Sequence, residues 1–398
     1  MSRSLAMTKK ILLLLVLPLL ALSIAGCSGG QVNPTPTFAV LQTLPPTYNA
    51  TETTTPSPTS TPMPIAVGPT GFAENVNPLT GLVVSDPSIL NRRPVVVKIT
   101  NFPRSARPQA GLSFADIVFD YYSGGGVNRF AAIFYGQNTT KAGPVRSGRL
   151  VDAQLVPMYN GILACGSADQ RYVWPTLINE LGYYRIFIDG PNSCPALCRD
   201  TMITENVNSL FADTAEMTQW AIRRQVDTGE RPNLEGNYFN SNPPSTGETA
   251  EMVAINYYSR NRGEWHYDSN SGNYLRWIEE VDANDELQMI PHVDRVTGGQ
   301  LAFSNVIVMF TEYTELSETL HDMNIIRSNG GRAVLFRDGK VIEGTWRVFS
   351  RYQPLRFFGT DGEPLALKPG NSWIVIVGIN SLLEQSSTGV WEMHFYLP

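Results

Sequence analysis

The chain has 398 residues, 42% of them hydrophobic, with a formal net charge of −6 at pH 7. That apolar share, with 17 Phe and 16 Tyr, is enough to build real cores and excludes a chain that is disordered throughout. Past the amino terminus no stretch approaches the roughly 20 apolar residues that a spanning helix needs, which excludes a multispanning membrane protein of the helical kind.

Residues 1–26 read as an export signal. Lys9 and Lys10 precede the apolar run Ile11 to Leu22, and small residues follow in Ser23-Ile24-Ala25-Gly26-Cys27. The Ala-Gly-Cys ending resembles a bacterial lipobox, which implies cleavage before Cys27 and diacylation of its thiol; an ordinary secretory cut beside an incidental cysteine is the alternative. The expected address is extracytoplasmic, anchored to the cell membrane by a lipidated Cys27. Residues 27–71 are rich in Thr and Pro, and no Lys or Arg occurs between Ser28 and Asn91. Such a composition buries too little apolar surface to order itself, so a disordered tether is expected. Fully extended, it would reach on the order of 130 Å.

The residues that remain divide at Asn240 to Gly247, a polar, proline-containing break. The expected organisation is an N-terminal α+β domain over 72–240 and a mainly β C-terminal domain over 248–398, an α+β fold overall. In the first, Val95–Ile99, Ile117–Tyr121 and Phe130–Tyr135 read as strands, with Gly124-Gly125-Gly126 as a tight turn. A phosphate-loop reading of the glycines fails, because no Lys-Ser/Thr follows and a strand comes next. Gly143-Pro144-Val145 reads as the start of a helix running to about Val156.

Charge is unevenly spread. Between Arg92 and Leu150 nine basic residues face only Asp116 and Asp120, so that segment carries +7 and the rest of the chain −13, which sum to −6. Such a surface suggests an anionic partner. Arg146 and Arg149, three apart at the expected helix start, with Ser147 between them, are the leading anion-binding candidates, joined by Arg107 and Arg129. Compensation by Asp116, Asp120 or Asp152 is the structural alternative.

With Cys27 lipidated, Cys165, Cys194 and Cys198 remain, and Cys194 with Cys198 is a possible disulfide. No metal site is expected, since none of the four histidines has zinc-ligand spacing to these thiols, and no cofactor is implied. The second half reads as strands at Met252–Tyr258, Gly263–Tyr267, Tyr274–Ile278, Asn305–Thr311, Arg332–Phe336, Val341–Val348, Trp373–Ile379 and Val390–Tyr396. Arg337-Asp338-Gly339-Lys340 is a hairpin signal, and Leu316–His321 reads as a short helix. Trp265, Tyr267, Asp268, Tyr274 and Arg276 fall on another expected hairpin, whose aromatic rings would either stack sugars or pair across the sheet.

Several of these features resemble the YerB-like bacterial lipoproteins. They include Asn77-Pro78-Leu79-Thr80-Gly81, Arg107-Pro108-Gln109-Ala110-Gly111-Leu112, Arg129-Phe130 and Gly143-Pro144-Val145-Arg146-Ser147 with Arg149. In the second half Trp265, Tyr267-Asp268, Tyr274, Arg276, Asn305-Val306-Ile307-Val308 and Gly344-Thr345-Trp346 also fit. The resemblance implies a two-domain architecture from about Asn77 onward and no particular reaction. Two histidines that it leads one to expect are replaced, by Ala164-Cys165-Gly166-Ser167 and by Glu205-Asn206 after Arg199-Asp200, so any catalysis they carried elsewhere is lost or replaced here.

No catalytic residue is assigned. Ser167 lacks the flanking glycines of a nucleophile elbow, and the first domain contains no histidine to serve as a base. Ser167, Asp169, Arg199 and Asn206, with the hairpin residues above, are secondary groove candidates. The expected function is a non-catalytic binding module for an anionic envelope glycopolymer, a wall precursor or a wall-assembly protein. The alternatives are a wall-modifying hydrolase or transferase and a scaffolding lipoprotein. Nucleic acid is an implausible partner at that location.

Overall fold

The computed structural model describes residues 65–397; the expected signal, Cys27 and most of the tether lie outside them. The strands of the first segment are β1 (Val95–Thr100), β2 (Ile117–Gly124), β3 (Val127–Phe134), β4 (Ile162–Cys165) and β5 (Ile186–Ile188). Its helices are α1 (Asp152–Met158), α2 (Val173–Leu181) and α3 (Thr214–Arg223). The second segment contributes β6 (Met252–Tyr258), β7 (Asn261–Asp268), β8 (Asn273–Val281), β9 (Asn305–Thr311), β10 (Gly330–Arg337), β11 (Lys340–Arg347), β12 (Ser372–Gly378) and β13 (Val390–His394).

Strand patterning is followed closely because these runs are β-branched and aromatic and sit where both faces are covered. One eleven-stranded sheet carries the molecule. Its order is Glu248–Thr249, β11, β10, β9, β12, β2, β3, β1, β4, β5, with Arg356–Gly359 added on β11. The two segments meet inside this sheet: β12 lies parallel to β2, with Ser372 opposite Ile117 and Ile376 opposite Tyr121. The α+β and mainly β halves therefore share a core, and the sequence break at 240–248 is a crossing of the chain rather than a division of that core.

Alternate residues on each strand enter opposite layers. Val96, Phe119, Ile133, Leu163 and Ile374 pack with α1 and α2 through Leu155, Val156 and Leu177. Val97, Phe130, Ala132, Val308 and Trp373 pack with Val253, Ile255 and Trp265 of a second sheet and with Met217 and Ala221 of α3. That second sheet runs Leu287–Pro291, β8, β7, β6, β13, Leu382–Ser387, with Ala302–Phe303 on β8.

Turn chemistry matches the expected hairpins. Gly124, Gly125 and Gly126 all hold positive φ (100°, 62° and 75°), as do Asp338 and Gly339 between β10 and β11 (51° and 69°). Side chains other than Gly, Asn and Asp pay a steric cost there.

Two local expectations are corrected. Pro144 to Arg149 is extended and α1 begins only at Asp152, because long-range partners take the amides a first helical turn would leave free. The Arg146 N–H donates to the Lys98 carbonyl (2.9 Å), Val145 to Leu210 (2.7 Å) and Gly148 to Ser167 (2.8 Å). Residues 316–321 form part of a hairpin, Tyr313–Ser317 against Leu320–Met323, which buries Tyr313, Leu320, His321 and Met323 and exposes Thr314 to Thr319.

Candidate functional site: an uncompensated arginine cluster

Strands β9, β12, β2, β1, β4 and β5 run in one direction, and β3 runs against β1 and β2. The carboxyl ends of β1 and β4 and the amino end of β3 therefore share an edge, the place where open α/β sheets present their ligand crevices. Arg129 stands there, paired in register with Thr100. The extended stretch Pro144–Gly148 runs alongside, between Thr100 on one side and the loop after β4 on the other. The Thr100 N–H donates to Pro144 (3.0 Å), and that of Gly166 to Arg146 (2.9 Å). This pairing sets Arg146, Ser147 and Arg149 beside Ser167, and the two serine hydroxyls lie 2.8 Å apart.

The three guanidinium groups are half-buried. Arg146 Nη2 donates to Asn208 Oδ1 (2.9 Å). Arg149 Nη1 reaches the carbonyls of Ser147 and Gly148 (3.3 and 3.1 Å), and Arg129 Nη1 the carbonyl of Asn128 (3.0 Å). The Nε atom of each is buried without a partner. Among the described residues none of the three has a carboxylate within 4.0 Å. Burial, reinforced by Arg149 and Arg146, pulls Arg129 down to about 10; burial, then Arg149, lowers Arg146 as well.

The acids that might have balanced them are engaged elsewhere. Asp152 binds buried Lys98 (2.7 Å) and accepts from the Arg149 backbone N–H (2.7 Å). Asp116 accepts from Asn77 and from the Tyr135 and Gly136 amides. Asp120 accepts from Asn128, Tyr257 and Trp373. Glu205, which accepts from Ser105 (2.8 Å) and Asn208 (2.5 Å), raises the Arg146 pKa only from a distance.

The other candidates disperse. Arg107 does not join the cluster: it is buried against Glu279 of β8, with Nη2 to Oε1 at 2.8 Å, because the turn after β1 aims it at the second sheet. Arg199 pairs with Asp189 (2.6 Å) and also holds the Asn206 carbonyl. Asp169 accepts from the Arg171 and Tyr172 amides ahead of α2, and Asp268 accepts from those of Asn270 and Ser271 in a turn. Trp265, Tyr274 and Arg276 are fully buried, so these rings line the core rather than a sugar-stacking face. Tyr267 is half-buried, its ring centroid 5.4 Å from that of Tyr274. Cys194 and Cys198 are bonded, while burial pushes the Cys165 thiol up to about 12. Asn208, the residue that orients Arg146, carries no sequence signal, since 62 residues separate the two. Among the described residues no group of three or more His, Cys, Asp or Glu is placed to hold a metal ion.

The α+β fold built on this shared sheet is that of a two-domain family of unknown function. Residues 79–220 match the N-terminal domain described as "Protein of unknown function (DUF3048)", and residues 253–374 match its C-terminal domain; the chain belongs to this family. It is similar to YerB of Bacillus subtilis (strain 168), a protein named as a lipoprotein, with 28% identity over 318 residues, 75% of this chain and 85% of that one. The crystal structure of YerB from Bacillus subtilis superposes with a TM-score of 0.61 at 25% identity, covering 76% of this chain and 96% of that one.

Proposed function

We propose that this protein is a lipid-anchored, extracytoplasmic binding module that captures an anionic cell-envelope ligand at Arg129, Arg146 and Arg149 without transforming it. The observation that carries this reading is the gathering of three guanidinium groups, each with a buried and unpartnered Nε, without a carboxylate within 4.0 Å among the described residues. Half-buried like charges cost stability unless something negative joins them. Forked donors beside the Ser147 and Ser167 hydroxyls suit phosphate or carboxylate oxygens. The non-catalytic part rests on the neighbour of Ser167, which is another hydroxyl rather than a base, and on the inert Cys165 thiol. The anchor rests on the Ala25-Gly26-Cys27 motif and on the lipoprotein name of YerB.

Thermal melts of the wild type and of Arg146→Gln/Arg149→Gln, with inorganic pyrophosphate and with a carboxylate-bearing wall fragment at several salt concentrations, test it. An anion-dependent rise in Tm in the wild type alone is expected. Equal shifts in both proteins, or none with either probe, would overturn the reading.

A further inference from the structure

We infer that a second site, independent of the arginine cluster, lies at the opposite edge of the same sheet and takes a neutral, hydroxyl-rich ligand: a short stretch of uncharged glycan. A cleft of about 1060 Å³ opens there. Its walls include Asn91 just before β1, Asp116 just before β2, Gln137 just after β3, Ser304 just before β9 and Asn371 just before β12. Given the strand directions, all of these mark the edge where the parallel strands begin and β3 ends, whereas the arginines mark the edge where the parallel strands end and β3 begins. A six-residue strand at about 3.3 Å per residue separates the two edges by about 20 Å. Both segments contribute to the cleft, and one side of α3 closes it through Thr218, Gln219 and Ile222.

The chemistry of the lining differs from that of the arginine edge. Its charged side chains other than exposed Asp86 are already held within the protein. Arg92 donates to the Tyr135 and Gln137 carbonyls and to Asn138 and Thr218. Asp116 is bound by two amides and Asn77, Lys368 pairs with Asp338 (2.9 Å), and Asp86 accepts from the Ser88 N–H (2.9 Å). An anionic ligand would find no free cation, because Lys368 is paired and the donors of buried Arg92 are in use. Apart from Asp86, what remains for a ligand is neutral: among the described residues the side chains of Ser85, Asn91, Gln137 and Gln219 have no hydrogen-bond partner, and all four are exposed. Exposed Val83 and Ile222 supply small apolar faces among them.

Amides and hydroxyls that both donate and accept, interleaved with aliphatic faces, complement a pyranose ring, whose rim carries hydroxyls and whose faces carry C–H groups. An apolar ligand would strip water from the amides and return nothing. The volume sits at the upper end of small-ligand pockets, which favours an oligosaccharide over a single sugar.

Calorimetric titration of the full chain in detergent micelles with two neutral tetrasaccharides, chitotetraose and maltotetraose, tests the assignment. Saturable binding of at least one is expected, unchanged when salt is raised tenfold. Gln137→Ala/Gln219→Ala should weaken it about tenfold, as the loss of two modest hydrogen bonds does, with Tm unchanged because both side chains are exposed. Arg146→Gln/Arg149→Gln should leave it intact. Failure of both glycans to bind, or binding that falls with salt or follows the arginines, would overturn the proposal and leave the anion reading untouched.

Discussion

Replacing Arg129 with Met should stabilise the ligand-free protein. Burial and two neighbouring guanidinium groups pull the Arg129 pKa from 12.5 to about 10. A shift of roughly 2.5 units at about 1.36 kcal/mol each puts the cost of the charged form near 3 kcal/mol as a ceiling. Met retains the aliphatic stem and removes the charge, at the loss of the hydrogen bond to the Asn128 carbonyl, which is worth about 1 kcal/mol. A net gain of about 1–2 kcal/mol follows. Urea unfolding at neutral pH in a buffer free of phosphate and other multivalent anions measures it directly. A saturating anion should reverse the order, since a ligand at about 100 times its Kd adds about 2.7 kcal/mol to the wild type alone. If Arg129→Met is instead destabilised by more than about 1 kcal/mol without ligand, the guanidinium has a structural partner and the cluster is not held open for an anion.

Three further outcomes are expected. Glu279→Gln should destabilise by about 3–5 kcal/mol, because it strands Arg107 as a buried charge, and it should leave the anion-dependent rise in Tm intact; a loss under 1 kcal/mol in urea unfolding would contradict the pairing. Burial raises Asp120 from 3.8 to about 6, so its contribution is fully present below pH 3.8 and is lost as pH rises through about 6. The stability of Asp120→Asn relative to wild type should therefore climb by up to about 3 kcal/mol between pH 4 and 6.5, and a flat difference in urea midpoints would refute this. Cys27→Ala should release the protein from the membrane fraction or leave it as an uncleaved precursor, and recovery of a mature, detergent-extracted form would refute lipid anchoring.

Local chemistry suffices wherever a residue's neighbours in sequence are also its neighbours in space. Met252–Tyr258 and Asn305–Thr311 are strands with the bounds their apolar runs suggest, and Asp338-Gly339 turns because its two backbones adopt positive φ. The expected address likewise rests on a short contiguous motif ending at Cys27. Arg107 and Arg146 show where that reach stops. They belong to the same basic segment, yet Glu279, 172 residues away, neutralises one, while the other finds an uncharged amide 62 residues away. The stretch from Pro144 to Arg149 carries local signals for a helix and is extended, because Lys98, Ser167 and Leu210 supply its hydrogen bonds. The parallel pairing of β2 with β12 is equally invisible in either segment alone. Charge compensation and backbone pairing are set by contacts between residues far apart in the chain, and composition and periodicity carry no record of which distant partners meet.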